Sequence, residues 1–204
     1  MSIALLSLFI PTFFFVSITP GMCMTLSLSL GMSVGVRRSL PMMCGELVGV
    51  AIVASAAAMG VATLMLEFPE LFVFLRLFGG AYLTWMGWQM WRSRGRLVIT
   101  DVAGSTVTAV QLASNGFITA IANPKGWAFF ITLLPPFIDS SQALAPQLIS
   151  LVGLILVIEF CCLLIYASGG KALRHLLADS GNVRLMNRIA GSLMIGVGVW
   201  LAFF

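Results

Sequence analysis

The sequence predicts an all-α polytopic membrane protein with six transmembrane helices, arranged as two inverted three-helix repeats in which helices 1 and 4 are broken. Three observations carry this expectation. Of the 204 residues, 60% are hydrophobic and 9% are charged, and mean hydropathy is +1.06, more apolar surface than a water-soluble fold of this length can hide. The apolar residues fall into stretches near the roughly 20 that a bilayer-crossing helix needs, with only short polar loops between them. A Pro-Gly or an Asn-Pro dipeptide interrupts the first stretch of each half.

The first span runs from about Ile3 to Thr19, where Pro20-Gly21 interrupts it before a small-residue continuation to Gly35. It lacks the basic start and small-residue cleavage site of a secretory signal, so it reads as a retained span. The second covers about Ser39 to Met65. The third covers about Leu71 to Trp91, with Tyr82, Trp85, Trp88 and Trp91 placed like an interfacial aromatic belt. The polar stretch from Arg92 to Gln111 is the longest loop. The fourth span, about Leu112 to Ile138, is broken by Asn123-Pro124-Lys125-Gly126 and closed by Pro135-Pro136. The fifth covers about Leu148 to Ser168 and the sixth about Ile189 to Phe204, with a basic, amphipathic segment from Gly169 to Arg188 between them. One domain, 1–204, results: a first repeat over about 1–91, a linker over 92–111 and a second repeat over about 112–204.

The basic residues orient these spans. Arg37 and Arg38, then Arg92, Arg94 and Arg96, then Lys171, Arg174, Arg184 and Arg188 all follow odd-numbered spans, whereas the loops after spans two and four carry only Glu67, Glu70 and Asp139. The positive-inside rule makes the odd loops cytoplasmic and puts both termini on the periplasmic side of the inner membrane. In a soluble protein a net charge of +4 raises the question of nucleic acid. Here the charges sit in loops between spans, and no nucleic-acid partner is expected.

With three spans per half, the second half enters the membrane from the opposite side, so any internal repeat is inverted. Each half opens with a broken span, and each second span carries a glutamate, Glu46 and Glu159. Interrupted segments at matching positions of two halves point to a transporter's binding site. Proline removes an amide donor and clashes with the preceding turn, and lipid cannot satisfy the backbone groups this frees. Such a break therefore faces protein or water, where half-helix amides can hold a carboxylate. A simple kink patched by Ser and Thr side chains is the plainer alternative. The candidate substrate-binding residues are Pro20, Gly21, Asn123, Pro124 and Lys125.

Four ionisable residues fall within spans: Glu46, Arg76, Lys125 and Glu159. At a helix centre each costs about 2.5–3.5 kcal/mol on insertion scales. Two acids and two bases could pair into a static network that holds the bundle together. Arg76 lies near the end of its span and could snorkel, and Glu46 lies one turn into span two, within reach of the interface. Glu159 sits in the middle of an otherwise apolar span, where a carboxyl group is suited to carrying protons. Glu159 and Glu46 are the candidate proton-coupling residues. Cys23, Cys44, Cys161, Cys162 and the single His175 show no metal-ligand spacing. With no nucleophile elbow either, an enzyme is not expected, and neither a catalytic residue, a metal nor a cofactor is assigned.

Several of these motifs resemble the LysE/RhtB family of amino-acid exporters. Pro20-Gly21 followed by Gly31, Gly35, Arg37-Arg38, Pro41, Gly45 and Gly49 is similar to that family's proline-glycine and spaced-glycine signature. The run from Phe74 to Ser93 is similar to its third segment. Asn123-Pro124-Lys125 through Pro135, NPKGWAFFITLLP, is the most specific match. Glu159 stands where the family usually shows aspartate, followed by Tyr166, Asn187-Arg188 and Gly191. Two departures mark this chain: Met22 replaces the usual proline after Pro20-Gly21, and Glu46 is unusual in the glycine-rich segment.

The resemblance covers almost the whole chain. It implies a secondary transporter of the bacterial plasma membrane that exports amino acids or close derivatives by proton antiport, as a six-helix protein able to form a homodimer. Its partners are then the amino acid, protons and membrane lipid. A channel or passive pore for small solutes is the alternative.

Overall fold

A computed structural model describes residues 3–93, 107–134, 137–138 and 142–203. Eight helices make up the described residues, in the order α1 (Ile3–Ile18), α2 (Met22–Ser33), α3 (Val36–Glu67), α4 (Pro69–Arg92), α5 (Ala109–Ile121), α6 (Pro124–Leu133), α7 (Leu144–Ala178) and α8 (Ser180–Phe203). Two long helices each contain a stretch apolar enough to cross a membrane alone, Val36–Gly60 in α3 and Leu144–Gly169 in α7. The bent pair Phe9–Ile18 and Met22–Ser33 makes a third candidate, its halves inclined at 58°.

Both expected interruptions are real helix breaks. Pro20-Gly21 separates α1 from α2, and Asn123 with Pro124 separates α5 from α6. At the second break Pro124 occupies the first position of α6, where its missing N–H costs nothing. The polar linker gives way to α5 through a capping box, in which the Thr108 hydroxyl accepts from the Gln111 amide at 3.2 Å and the Gln111 side chain accepts from the Thr108 amide at 2.9 Å. Thr108→Ala is expected to lower the unfolding free energy by about 1 kcal/mol, measurable as a lower midpoint in detergent thermal unfolding. Arg94, Arg96, Pro135, Pro136 and Asp139 lie outside the described residues.

One boundary differs from the sequence expectation. The basic segment from Gly169 to Arg188 is not a separate element: α7 continues to Ala178, and α8 begins at Ser180 rather than near Ile189. Lys171, Leu173, Arg174, Leu176 and Leu177 are good helix formers, so leaving the apolar zone gives the helix no reason to stop. It ends at Asp179, whose backbone is extended and whose Oδ1 accepts from the Gly181 amide at 2.7 Å.

Glycines set how closely the helices cross. A Cβ on Gly45 would lie 1.9 Å from the Ala113 carbonyl oxygen, and one on Gly116 would lie 2.0 Å from that of Met42, so α3 and α5 meet backbone to backbone. Gly31 meets Ala167 in the same way, joining α2 to α7, where the Ser27 hydroxyl also donates to the Leu163 carbonyl at 2.8 Å. Helices α4 and α8 run antiparallel, with Gly80 against Gly198 and Gly87 against Gly191. Their seam closes where the Arg188 guanidinium stacks 4.9 Å from the Trp91 ring and the Trp91 indole donates to Ser192 at 3.2 Å. At Gly35 the backbone turns left-handed, with φ of 83°, and ends α2 before α3 begins.

Phe9, Phe13, Phe129, Phe130 and Phe137 form a contiguous aromatic cluster that joins α1 to α6 and the residues after it. Phe13, Phe129 and Phe130 of this cluster border the space between the two breaks.

Candidate functional site

The break at Pro20-Gly21 strands the last carbonyls of α1, and side chains supply their partners. The Lys125 ammonium donates to the Val16 carbonyl at 2.7 Å, the Tyr166 hydroxyl donates to that of Ile18 at 2.8 Å, and the Thr19 hydroxyl donates to that of Phe15 at 2.6 Å. Lysine and tyrosine thus reach from α6 and α7 to satisfy groups that the helix itself cannot. At the second break the Trp127 indole donates to the Ile121 carbonyl at 2.8 Å.

The two downstream half-helices begin differently. Asn123 caps α6, its Oδ1 accepting from the Lys125 amide at 3.1 Å. Gly21 stands at the cap position of α2 in extended backbone and has no side chain with which to cap it. The first-turn amides of α2 are therefore left for another acceptor.

Between the breaks lies a cavity that opens at its mouth, about 640 Å³ when the space of that mouth is counted. Its polar residues are Ser17, Thr19, Cys23, Glu46, Asn123, Lys125 and Glu159. Phe13, Met24, Val50, Val53, Phe129 and Phe130 supply the apolar wall. Five of the seven residues singled out from the sequence line this space: Gly21, Asn123, Lys125, Glu46 and Glu159. Pro20 and Pro124 create the breaks without lining it.

Glu46 on α3 is fully buried rather than turned to the interface, and Glu159 on α7 is buried as well. The two carboxyl groups stand side by side, with the Cys23 thiol beside Glu46. The Ser17 hydroxyl, from the last turn of α1, donates to Glu159 Oε2. Neither oxygen of Glu46 has a hydrogen-bond donor among the described residues. Of the three intramembrane charges whose side chains are described, the two acids adjoin one another and Lys125 hydrogen-bonds a carbonyl oxygen. The side chain of Arg76 falls outside the described residues.

Ser17, Tyr166 and Cys23 are site residues that the break motifs alone do not reveal. A hydroxyl at the last turn before a Pro-Gly break was the available signal for Ser17. Tyr166 stood among the resembling motifs, but its link to Ile18, 148 positions away, has no local signature.

The chain is 30% identical over 186 residues to an uncharacterized membrane protein of Vibrio cholerae, covering 91% of this chain and 90% of that one. It is 26% identical over 186 residues to the homoserine/homoserine lactone efflux protein of Salmonella typhimurium, covering 91% and 90%. It is 27% identical over 194 residues to the leucine efflux protein of Klebsiella pneumoniae, covering 92% and 90%. No solved structure matches it. The family model for the LysE type translocator matches residues 14–203, a stretch that takes in both breaks, both acids and the lysine. The chain thus belongs to the LysE-type translocator family, whose members are membrane transporters rather than enzymes.

Proposed function

We propose that this protein exports amino acids or close derivatives from the cytoplasm by proton antiport, through a site built between its two broken helices. The observation that carries the reading is the composition of one cavity: two carboxyl groups, one ammonium group, an uncapped half-helix N-terminus and an apolar aromatic wall. A zwitterion needs those parts in that proximity. Its carboxylate suits the α2 amides and the cationic Lys125, its ammonium suits the acids, and its side chain suits Phe13, Phe129 and Phe130. The names of the leucine and homoserine efflux relatives agree in substrate class.

In this reading the chain forms six spans in the bacterial inner membrane: α1 with α2, α3, α4, α5 with α6, α7, and α8. Both termini are periplasmic, and the two halves are inverted repeats within one domain. Each half contributes a broken pair, a long helix and a final helix. The antiparallel α4–α8 seam supports the pseudo-twofold relation, because glycines seven positions apart on one helix meet glycines seven apart on the other. In such repeats the site lies at the midplane between the broken segments, and the halves rock about it.

The test is efflux from proteoliposomes loaded with a panel of amino acids that includes leucine and homoserine. Lys125→Met and Asn123→Ala are each expected to weaken apparent affinity for the exported substrate. For Lys125 the loss is about 10–100-fold, the equivalent of one charge-assisted hydrogen bond. Unchanged affinity in both variants would remove the site from the α5–α6 break.

A further inference from the structure

The export reading of this site leaves open how a proton and an amino acid are made to exchange, and the two buried acids supply a specific answer. Glu46 and Glu159 come from different long helices yet meet in one cavity, and the single ammonium group among the lining residues, Lys125, is hydrogen-bonded to Val16. Two bare carboxylates so close repel one another strongly in surroundings of low or intermediate polarity. Such a pair requires a cation, and a carboxyl group can hydrogen-bond a carboxylate only by donating its own proton. A proton and the substrate's ammonium group are cations that an amino-acid exporter can bring to such a pair.

We propose that Glu46 and Glu159 form one composite cation subsite, which holds a proton between the two carboxyl groups when substrate is absent and exchanges it for the ammonium group of the substrate. On the cytoplasmic side the incoming ammonium takes the place of the proton, which passes to water in the open cavity. On the periplasmic side the amino acid leaves and a proton from outside restores the carboxyl–carboxylate hydrogen bond. Proton and substrate never share the subsite, so each outward amino acid is matched to an inward proton without any separate proton path. Ser17 acts as a positioning residue: by donating to Glu159 Oε2 it keeps that carboxyl turned into the cavity and occupies only one of its acceptor sites.

Among the described residues the other titratable groups beside the pair are Cys23 from α2, Lys125 from α6 and Cys162 from α7; Ser17 from α1 and Asn123 at the cap of α6 do not titrate in this range. Tyr166 is committed to Ile18. The proposal also defines a substrate class. Compounds with a free ammonium group displace the proton, whereas 2-hydroxy acids of the same shape occupy the cavity without displacing it.

The experiment is infrared difference spectroscopy of the full chain in lipid nanodiscs, following the protonated-carboxyl band while an indicator dye counts released protons. The wild type is expected to show one such band, lost in both Glu46→Gln and Glu159→Gln, because either change breaks the shared proton. Glu46→Asp, which keeps the pair, retains a shifted band and guards against misfolding of the Gln variant. L-leucine or L-homoserine, whichever proteoliposome efflux shows to be exported, is expected to release one proton per molecule bound; its 2-hydroxy analogue releases none. A band that survives undiminished in either Gln variant, or equal proton release by the hydroxy analogue, would overturn the proposal. The band measurement needs no transported substrate, so its failure is distinct from failure of the export reading, which shows as absence of efflux.

Discussion

Glu159→Gln is expected to abolish the response of amino-acid efflux to a pH gradient while leaving a folded protein that still binds substrate weakly. The side chain is buried in the middle of α7, accepts from Ser17 and adjoins Glu46. Glutamine matches its shape and keeps an acceptor for the Ser17 hydroxyl, so packing is preserved. What is lost is the ability to gain and lose a proton, together with the negative charge that attracts an ammonium group. Losing one charge-assisted contact costs about 1.5–3 kcal/mol in affinity, whereas loss of the titrating group removes coupling altogether. Parallel measurement of exchange with and without a pH gradient separates the two effects. A Glu159→Gln protein that exchanges at the wild-type rate under a pH gradient would remove this residue from the coupling mechanism.

Gly45→Val is expected to have the largest effect on stability. The added side chain would begin 1.9 Å from the Ala113 carbonyl oxygen and 2.6 Å from its carbonyl carbon, both backbone atoms of α5 that cannot rotate away. Overpacking of a fitted interior costs about 1–3 kcal/mol where side chains can adjust, and a clash with backbone lies at or above the upper end. Because Gly116 on α5 makes the reciprocal contact with Met42, forcing the helices apart also shifts Glu46, one position beyond Gly45. The variant is expected to unfold at a distinctly lower temperature in detergent and to lose transport. Gly153→Ala is the control: nothing lies within 4 Å of the added methyl group, and alanine favours a helix by up to about 1 kcal/mol over glycine. Equal thermal midpoints for the Gly45→Val and wild-type proteins would contradict the α3–α5 crossing.

The helix breaks were legible in the sequence because proline and glycine act locally: Pro20-Gly21 and Asn123-Pro124 end helices wherever they stand. That Glu159 faces the interior was legible as well, since a carboxyl group within an apolar span avoids lipid. Its neighbours were not. Ser17 is 142 positions from Glu159, and Lys125 is 109 from Val16, and no periodicity reports pairings at that distance. Glu46 shows the limit most clearly. One turn into its span, it could have reached the interface, and only the crossing of α3 with α5 and α7 turns it inward. Glycine spacing likewise announced close helix contacts, but not that Gly31 would meet Ala167 or Gly87 would meet Gly191. The start of α8 at Ser180 was hidden because its first turn, Ser180-Gly181-Asn182, is polar and of low helix propensity, and such a run reads as a loop.

The role of Lys125 follows from the same geometry. Its ammonium group bridges to the last turn of α1, so the two broken helices are tied through one side chain. A substrate carboxylate that draws the ammonium away would release Val16 and loosen α1 from α6, coupling occupancy of the cavity to movement of the halves. Under the proposed inverted-repeat reading, that is the local event through which binding energy reaches the movement of the two halves.

The central claim, amino-acid export driven by protons through this cavity, is tested most directly by efflux from proteoliposomes preloaded with amino acids and exposed to an inward proton gradient. The account predicts that the gradient accelerates efflux of at least one amino acid against its own concentration difference, and that a protonophore abolishes this. Efflux that follows only the substrate's own gradient, unchanged by the protonophore, would contradict it and describe a passive pore.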